Sequence, residues 1–501
     1  MCGIAGAYGR FSTRNINEMV MQIKHRGPDG DGVMPTESAT LGHTRLAIVD
    51  VDRGHQPFHL GEAWIAFNGE IYNHMALRKE HLQGQHFETR TDTETVLRLY
   101  QHYGPKSVQL LNGMFAFAIS WQDDLFLARD PLGIKPLYWD YKKEGGLYFA
   151  SEVKSLAKIT DNIGEFPAGH WYHNHQGLHR FYSVEGSLHG EDLPGIQTEE
   201  ETLPSIRSSI KTAVHRRLMS DVPLGVSLSG GLDSSIISMI ASRDDPGLHS
   251  FAVGTEDGED LDAARLMADE LGTRHHEYVY RQEDMLEILP DVVYYLESFD
   301  PALVRSAIPN YMLSRMASDH VKVMLTGEGA DELYAGYSYL QRYGDAADLQ
   351  QELVQITEDL HNTNLQRGDR MSMAHGLEAR VPFLDTDSVS LALSIPSEWK
   401  LQRGGRPAKD LLRRAYHGHL PDSIVNRPKM KFSKGAGSSD ILAEQAQELV
   451  SDADFKKEKV RLKDEWGYCL QNKEALIYYR MLQDHYHDEW IMPTMGISRS
   501  L

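Results

Sequence analysis

Through residues 1 to about 182 the apolar positions come in short β-branched and aromatic bursts. Leu41–Asp50 (LGHTRLAIVD), Glu62–His74 (EAWIAFNGEIYNH) and Gly113–Ser120 (GMFAFAIS) carry this pattern, and Gly42, Asp50, Asn68, Gly69 and Gly113 bound or interrupt it. Asn15–Lys24 and Asp92–Tyr103 keep a helical period instead. Many short strands with few helices predict a layered α+β domain over residues 2–182, built on antiparallel sheets. From 183 to 204 the chain turns polar and turn-rich (SVEGSLHGEDLPGIQTEEETL), which reads as a linker. Beyond it the pattern changes. Ile206–Ser220 has a long helical period, and two apolar runs, Pro223–Leu228 and Lys322–Thr326, each lead into a Gly-rich turn. Strand, loop, helix in that order predicts an α/β domain with a parallel sheet over 205–501. The last hundred residues read as helical and charged.

Composition narrows the function classes. Among 501 residues, 51 lysines and arginines face 72 aspartates and glutamates, a net charge of −21. That balance argues against nucleic acid or an anionic membrane as partner, since both need a basic surface. Small-molecule substrates remain, and a local phosphate site is compatible with the charge. The two cysteines, Cys2 and Cys469, make neither a disulfide framework nor a multi-thiolate metal site, so the expected compartment is the reducing cytoplasm. No run reaches the ~18 apolar residues of a membrane span, and the start lacks a secretory layout. GxxxxGK[ST], HExxH and paired CxxC motifs are missing. The GPDGDG of Gly27–Gly32 fails as a calcium loop, because Val33 stands where a third oxygen ligand belongs.

Candidate chemistry begins at Met1-Cys2-Gly3-Ile4-Ala5-Gly6. Removal of the initiator methionine would leave Cys2 with a free α-amine, which titrates near pH ~8 and can accept the thiol proton. The bland alternative is a small residue that happens to stand second. Acyl transfer also needs an oxyanion hole, and Phe67-Asn68-Gly69-Glu70 offers an Asn side-chain amide and a Gly N–H. Arg45 suits a carboxylate and Asp92 an ammonium, although Asp92 could instead cap the helix it begins. MCGIAG, HRGPDG (His25–Gly30), GHTRLAIVD, FNGEIYNH and ARDPLGIKPLY (Ala128–Tyr138) together resemble the glutaminase domain of class II glutamine amidotransferases. That resemblance implies an N-terminal nucleophile (Ntn) hydrolase sandwich. It implies Cys2 as nucleophile and Asn68 with Gly69 as oxyanion hole. Arg45, Leu46, Ala47, Ile48, Val49, Asn68, Gly69, Glu70 and Asp92 would then form the glutamine site.

The second half holds a phosphate loop without a lysine. Leu228-Ser229-Gly230-Gly231-Leu232-Asp233-Ser234-Ser235 follows an apolar run and opens a helical period, Ser235–Ala241. Glycines admit phosphate close to the backbone, while serines and a helix N-terminus present donors. Asp233 would repel the anion unless Mg²⁺ bridged them. Thr326-Gly327-Glu328-Gly329-Ala330-Asp331 is a second acidic turn, offering Asp331 as a further metal ligand and Glu328 as a general base. Arg427, Lys429 and Lys431 form a basic cluster suited to a leaving pyrophosphate, although most such clusters are solvated faces. These strings, with Asp369–Ala374 and Glu378–Asp385, resemble the ATP-pyrophosphatase domain of the glutamine-hydrolysing asparagine synthetase family. The resemblance implies ATP and Mg²⁺ as cofactors. The ATP site would be Leu228, Ser229, Gly230, Gly231, Asp233, Ser234, Val253, Thr326, Gly327 and Lys429, with metal at Asp233 and Asp331. It further implies a β-aspartyl-adenylate, an internal ammonia tunnel and a homodimer.

Two other readings compete. A relative could amidate a different carboxylate in secondary or cell-surface metabolism. A non-catalytic scaffold would be expected to have lost at least one of Cys2, Asn68, Asp92, Asp233, Asp331 and Lys429, and all are present. β-Lactam synthetases, which share the architecture, lack the N-terminal cysteine and carry tyrosine where Glu328 stands.

Overall fold

Among the described residues, twelve strands precede residue 181: β1 (Gly3–Tyr8), β2 (Gly30–Pro35), β3 (Ala39–Arg45), β4 (Phe58–Leu60), β5 (Ala63–Ile71), β6 (Gly113–Trp121), β7 (Asp124–Arg129), β8 (Tyr138–Asp140), β9 (Leu147–Ala150), β10 (Gly164–Glu165), β11 (His170–His173) and β12 (Gly177–Arg180). A computed structural model describes residues 2–9, 12–140, 146–188, 198–256, 258–428 and 439–498. The strands form two antiparallel six-stranded sheets, ordered β10-β8-β9-β1-β3-β2 and β12-β11-β7-β6-β5-β4. Between the sheets lies a core of small and large apolar residues that includes Ile4, Leu41, Ala66, Ala116, Leu127 and Phe149. The helix Asp92–Tyr103 covers the outer face of the second sheet through Val96, Leu97 and Tyr100, which pack on Phe67, Phe117 and Phe126. The helix Thr13–Gln22 packs Ile16, Met19 and Val20 on Ala5 and Ala7 of β1. This is the expected α+β sandwich.

Strand period explains the face each residue takes. Ala66 points into the inter-sheet core, so Asn68 and Glu70 share its face. Ile4 does the same from β1, which puts Cys2 on the inner side of the first sheet. Three expectations shift. The run Leu41–Asp50 leaves the ladder after Arg45. Beyond that point its backbone finds other partners: Ala47 N donates to Asp29 Oδ2 at 2.7 Å, and Ile48 O accepts from Asp221 N at 3.0 Å. The burst Glu62–His74 ends at Ile71, and His74 opens a short helix, His74–His81. The first helix runs Thr13–Gln22 rather than 15–24, because the Ser12 side chain caps it at Arg14 N.

The second half carries the expected parallel sheet, with strands β13 (Leu224–Ser227), β14 (His249–Gly254), β15 (Arg274–Val279), β16 (Val323–Leu325) and β17 (Glu378–Arg380) in the order β15-β14-β13-β16-β17. Every pairing in it is parallel. The helix expected at 206–220 spans Glu199–Arg216, starting from a Thr198 side-chain cap with three glutamates in its first turn. It thus begins inside the polar segment. Strand order reverses between β13 and β16, so their C-terminal loops diverge and leave a crevice.

Candidate active sites

Cys2 is buried at the seam between the two antiparallel sheets. Its backbone N donates to Asn68 Oδ1 at 3.2 Å, and its Sγ lies 4.0 Å from Leu46 O. Since Oδ1 is held by Cys2, the free end of the Asn68 amide is Nδ2, a fully buried donor without a hydrogen-bond partner among the described residues. A buried unmatched donor is costly and invites an acceptor from a ligand. Gly69 has φ +153°, and a Cβ there would stand 2.0 Å from Met114 O, so no other residue fits beside Asn68. Burial pushes the Cys2 thiol above its ordinary value.

Arg45 and Asp92 are buried and anchored by backbone. Arg45 Nη1 donates to Val51 O at 2.8 Å and Nη2 to Asp50 O at 3.0 Å. Asp92 accepts from Ile71 N at 2.7 Å and Thr93 N at 2.8 Å. Thr91, not Asp92, occupies the N-cap position. Burial nevertheless raises the Asp92 carboxyl to about 6. Burial and the Asp92 charge also push Glu70 well above the carboxylate range, with one oxygen buried and without a hydrogen-bond partner among the described residues. Two adjacent acids that resist ionisation suit a cationic ammonium. Leu46 and Ile48 turn their side chains into the core and Val49 packs on it, so the segment meets Cys2 through its backbone, at Leu46 O. The segment is strapped to the second half by Asp221. The carboxylate of Asp221 accepts from Asp50 N at 2.9 Å and from Arg90 Nη2 at 2.8 Å.

The second candidate site is the crevice at the strand-order reversal. Ser229, Gly231, Asp233 and Ser234 line one side, and Thr326, Gly327, Glu328 and Asp331 the other. The helix Leu232–Ser242 starts at Gly231 and aims its N-terminus into the cleft, as an anion site requires. Gly230 has φ +66°, and a Cβ there would overlap Ala263 at 2.4 Å. Gly230 therefore shapes the loop without lining the cleft. Leu228 and Val253 likewise lie in the hydrophobic core beneath it. Lys429 and Lys431 lie outside the described residues. Their neighbour Arg427 lines the cleft and pairs with Asp260 at 2.7 Å.

Lys409, which sequence reasoning missed, reaches both expected metal ligands: its Nζ is 2.5 Å from Asp233 Oδ2 and 2.7 Å from Asp331 Oδ1. A Cβ on Gly336 would fall 1.9 Å from Asp331 Oδ1 and 2.2 Å from Lys409 Cε, so the approach depends on that glycine. Asp233 Oδ1 is buried and unpartnered among the described residues. Two carboxylates converging on one positive charge, with an oxygen to spare, fit a hard divalent cation such as Mg²⁺. Glu328 is ion-paired with Arg367, a second residue missed from sequence. Arg305 pairs with Glu474 and does not line the cleft.

A buried polar chain joins the two sites. Arg26 donates from Nε to Cys2 O at 3.1 Å and from its Nη atoms to Asp369 at 2.8 and 3.1 Å. Asp369 is 3.5 Å from Lys135 Nζ, and both Asp369 and Lys135 line the nucleotide-type cleft. Beside it, Arg380 of β17 approaches Glu70 at 3.7 Å. Arg26, Lys135 and Asp369 lie inside the HRGPDG, ARDPLGIKPLY and DRMSMA strings. The signal was therefore in the sequence without a partner to give it meaning.

Comparisons with known proteins agree in extent with this two-site layout. Residues 1–182 match the glutamine amidotransferase domain family. Residues 205–346 and 341–491 match the asparagine synthase family. Asparagine synthetase B (glutamine-hydrolyzing) of Escherichia coli (strain K12) is 38% identical over 97% of this chain and 91% of its own. A probable asparagine synthetase (glutamine-hydrolyzing) of Schizosaccharomyces pombe is 38% identical, covering 97% and 93%. Asparagine synthetase (glutamine-hydrolyzing) 1 of Saccharomyces cerevisiae is 36% identical over the same two shares. With likeness of that depth running nearly end to end, the chain belongs to the family of glutamine-hydrolysing asparagine synthetases.

Proposed function

We propose that this chain makes asparagine from aspartate and ATP with glutamine as nitrogen donor, releasing AMP, pyrophosphate and glutamate. Residues 2–182 form the glutaminase, 183–204 the connection and 205–501 the synthetase. The observation that carries the reading is the buried Cys2–Arg26–Asp369–Lys135 chain, which sets a thiol centre against the wall of a nucleotide-type cleft. Glutamine's α-carboxylate meets Arg45 and its α-ammonium meets Asp92 and Glu70. With Met1 removed, the Cys2 amine takes the thiol proton and Sγ attacks the carboxamide carbon. Asn68 Nδ2 and the Gly69 N–H receive the developing oxyanion, ammonia leaves, and water hydrolyses the thioester.

In the cleft, the helix N-terminus at Gly231 and the Ser229 and Ser234 hydroxyls bind the phosphates, with Lys429 proposed beside them. Asp233 and Asp331 hold Mg²⁺, which when bound neutralises phosphate charge. An aspartate carboxylate oxygen attacks the α-phosphorus and pyrophosphate leaves. Ammonia then attacks the acyl carbon, its nitrogen becomes cationic and gives up one of its protons to Glu328, and AMP departs.

The test is a product assay with aspartate, ATP, Mg²⁺ and glutamine, run against a panel of other carboxylates and read by phosphorus NMR. AMP and pyrophosphate with aspartate preferred are the expected result. ADP as main product would overturn the cleft assignment, and preference for another carboxylate would overturn the acceptor. A cytoplasmic location follows from the cysteine usage and a homodimer from the family resemblance; cell fractionation and light scattering test them.

A further inference from the structure

We infer that His249, His276 and His320 form a binding site for a borderline divalent transition-metal ion, zinc foremost, separate from both reaction centres. The three imidazoles come from distant parts of the sequence: the first residue of β14, the middle of β15, and the turn after the helix Pro301–Ser318. Each offers a ring nitrogen, and these atoms all lie within 4.8 Å of one another. His249 Nδ1 and His276 Nε2 face each other at 2.9 Å, close enough to share one proton. A metal ion can replace that proton and use both lone pairs. His320 lies against His276 with ring centroids 4.0 Å apart and is exposed.

The chemistry selects the ion. Three neutral imidazoles with no carboxylate among them disfavour Mg²⁺ and Ca²⁺, which want oxygen, and favour Zn²⁺, Cu²⁺ or Ni²⁺. Three histidines leave a fourth position for water or an outside donor. Phe251, the cross-strand partner of His276, stacks on it at 5.0 Å and backs the cluster with an apolar surface. The site is distinct from the ATP-type cleft, because His249 opens its strand whereas the cleft lies at the opposite, C-terminal ends of the parallel strands. An ion there would pin the edge of the sheet to the end of the neighbouring helix.

The test uses the full chain, stripped with chelator, and titrates Zn²⁺ alone against a chromophoric competitor. Co²⁺ absorption serves as a second readout of coordination number. One tight equivalent is expected, with a four-coordinate Co²⁺ spectrum and a Zn²⁺-dependent rise in melting temperature. The exposed variant His320→Ala should weaken binding by about 100-fold or more, beyond the 10–100-fold of losing an outer-shell partner, and should abolish the thermal shift. His276→Gln should do the same while its unchanged circular dichroism reports a native fold. The Mg²⁺-dependent synthesis rate should be unchanged in His320→Ala. Zn²⁺ affinity equal in wild type and His320→Ala, or a six-coordinate Co²⁺ spectrum in both, would overturn the site and leave the three rings as an aromatic stack.

Discussion

The two candidate centres are built on opposite plans. In the N-terminal one Asn68 is fully buried, and Cys2, Arg45 and Asp92 are at most 8% exposed, with both charged groups held by backbone atoms. In the cleft the Asp233, Asp331 and Glu328 side chains are 17, 18 and 25% exposed and pair with the buried cations Lys409 and Arg367. The difference follows from the ligands. Glutamine is small with no net charge, so a rigid pocket of fixed donors recognises it at little cost in ordering. ATP with its metal brings several charges at once. A cleft for them needs charged groups that are kept in place beforehand by internal counterions and released on binding. The first site is a mould and the second a charge-exchange surface.

The sharpest break of this comparison is Cys2→Ala. Glutamine hydrolysis should vanish while synthesis from free ammonia continues at near the wild-type rate, because the cleft needs only the product of the first site. Hydrolysis persisting in that variant would remove the thiol from the mechanism. Next in size is Glu328→Gln, which should slow synthesis by about 10²–10⁴-fold, the span for a positioned acid or base, with glutaminase activity intact. Equal loss of both activities would point to misfolding instead.

Asp369→Asn attacks the seam. It removes the charge that Arg26 and Lys135 share, and breaking such a buried pair costs about 3–5 kcal/mol. The expected signature is a glutamate-to-asparagine product ratio above one, as ammonia escapes between the halves. A ratio unchanged from wild type would separate the polar chain from ammonia transfer. A pH series sharpens the mould itself. Asp92 titrates at about 6 when the pocket is empty, so its charge is present above that pH and lost below it. The KM for glutamine should therefore rise as pH falls through 6. A flat KM from pH 7 to 5 would remove Asp92 from ammonium binding. The smallest effect belongs to Asp221→Ala, which loosens the strap on the Leu46–Asp50 segment. Losing hydrogen bonds of about 1 kcal/mol should raise the glutamine KM roughly fivefold and leave ammonia-dependent synthesis unchanged.

Local pattern alone fixed a good deal of this molecule. Alternation along Glu62–Ile71 decided that Asn68 and Glu70 share a face. The glycines in FNGE and SGGLDSS marked where backbone must come close or bend with positive φ. The apolar runs before the two Gly-rich turns located β13 and β16, because a strand buried on both faces needs an unbroken apolar stretch. These are short-range constraints, and short-range sequence carries them. What the tertiary structure decided was every relation between distant charges. Lys409 stands 176 residues from Asp233 and Asp369 stands 343 from Arg26, and no spacing rule connects such pairs. Leu46–Val49 reads as strand but leaves the ladder, since Asp29 and Asp221 take its hydrogen bonds. The meeting of the two halves follows from the same cause. Burial makes an unpaired charge costly, so Arg26, Lys135, Asp369 and Arg380 found partners across the seam, and only the folded chain could show which.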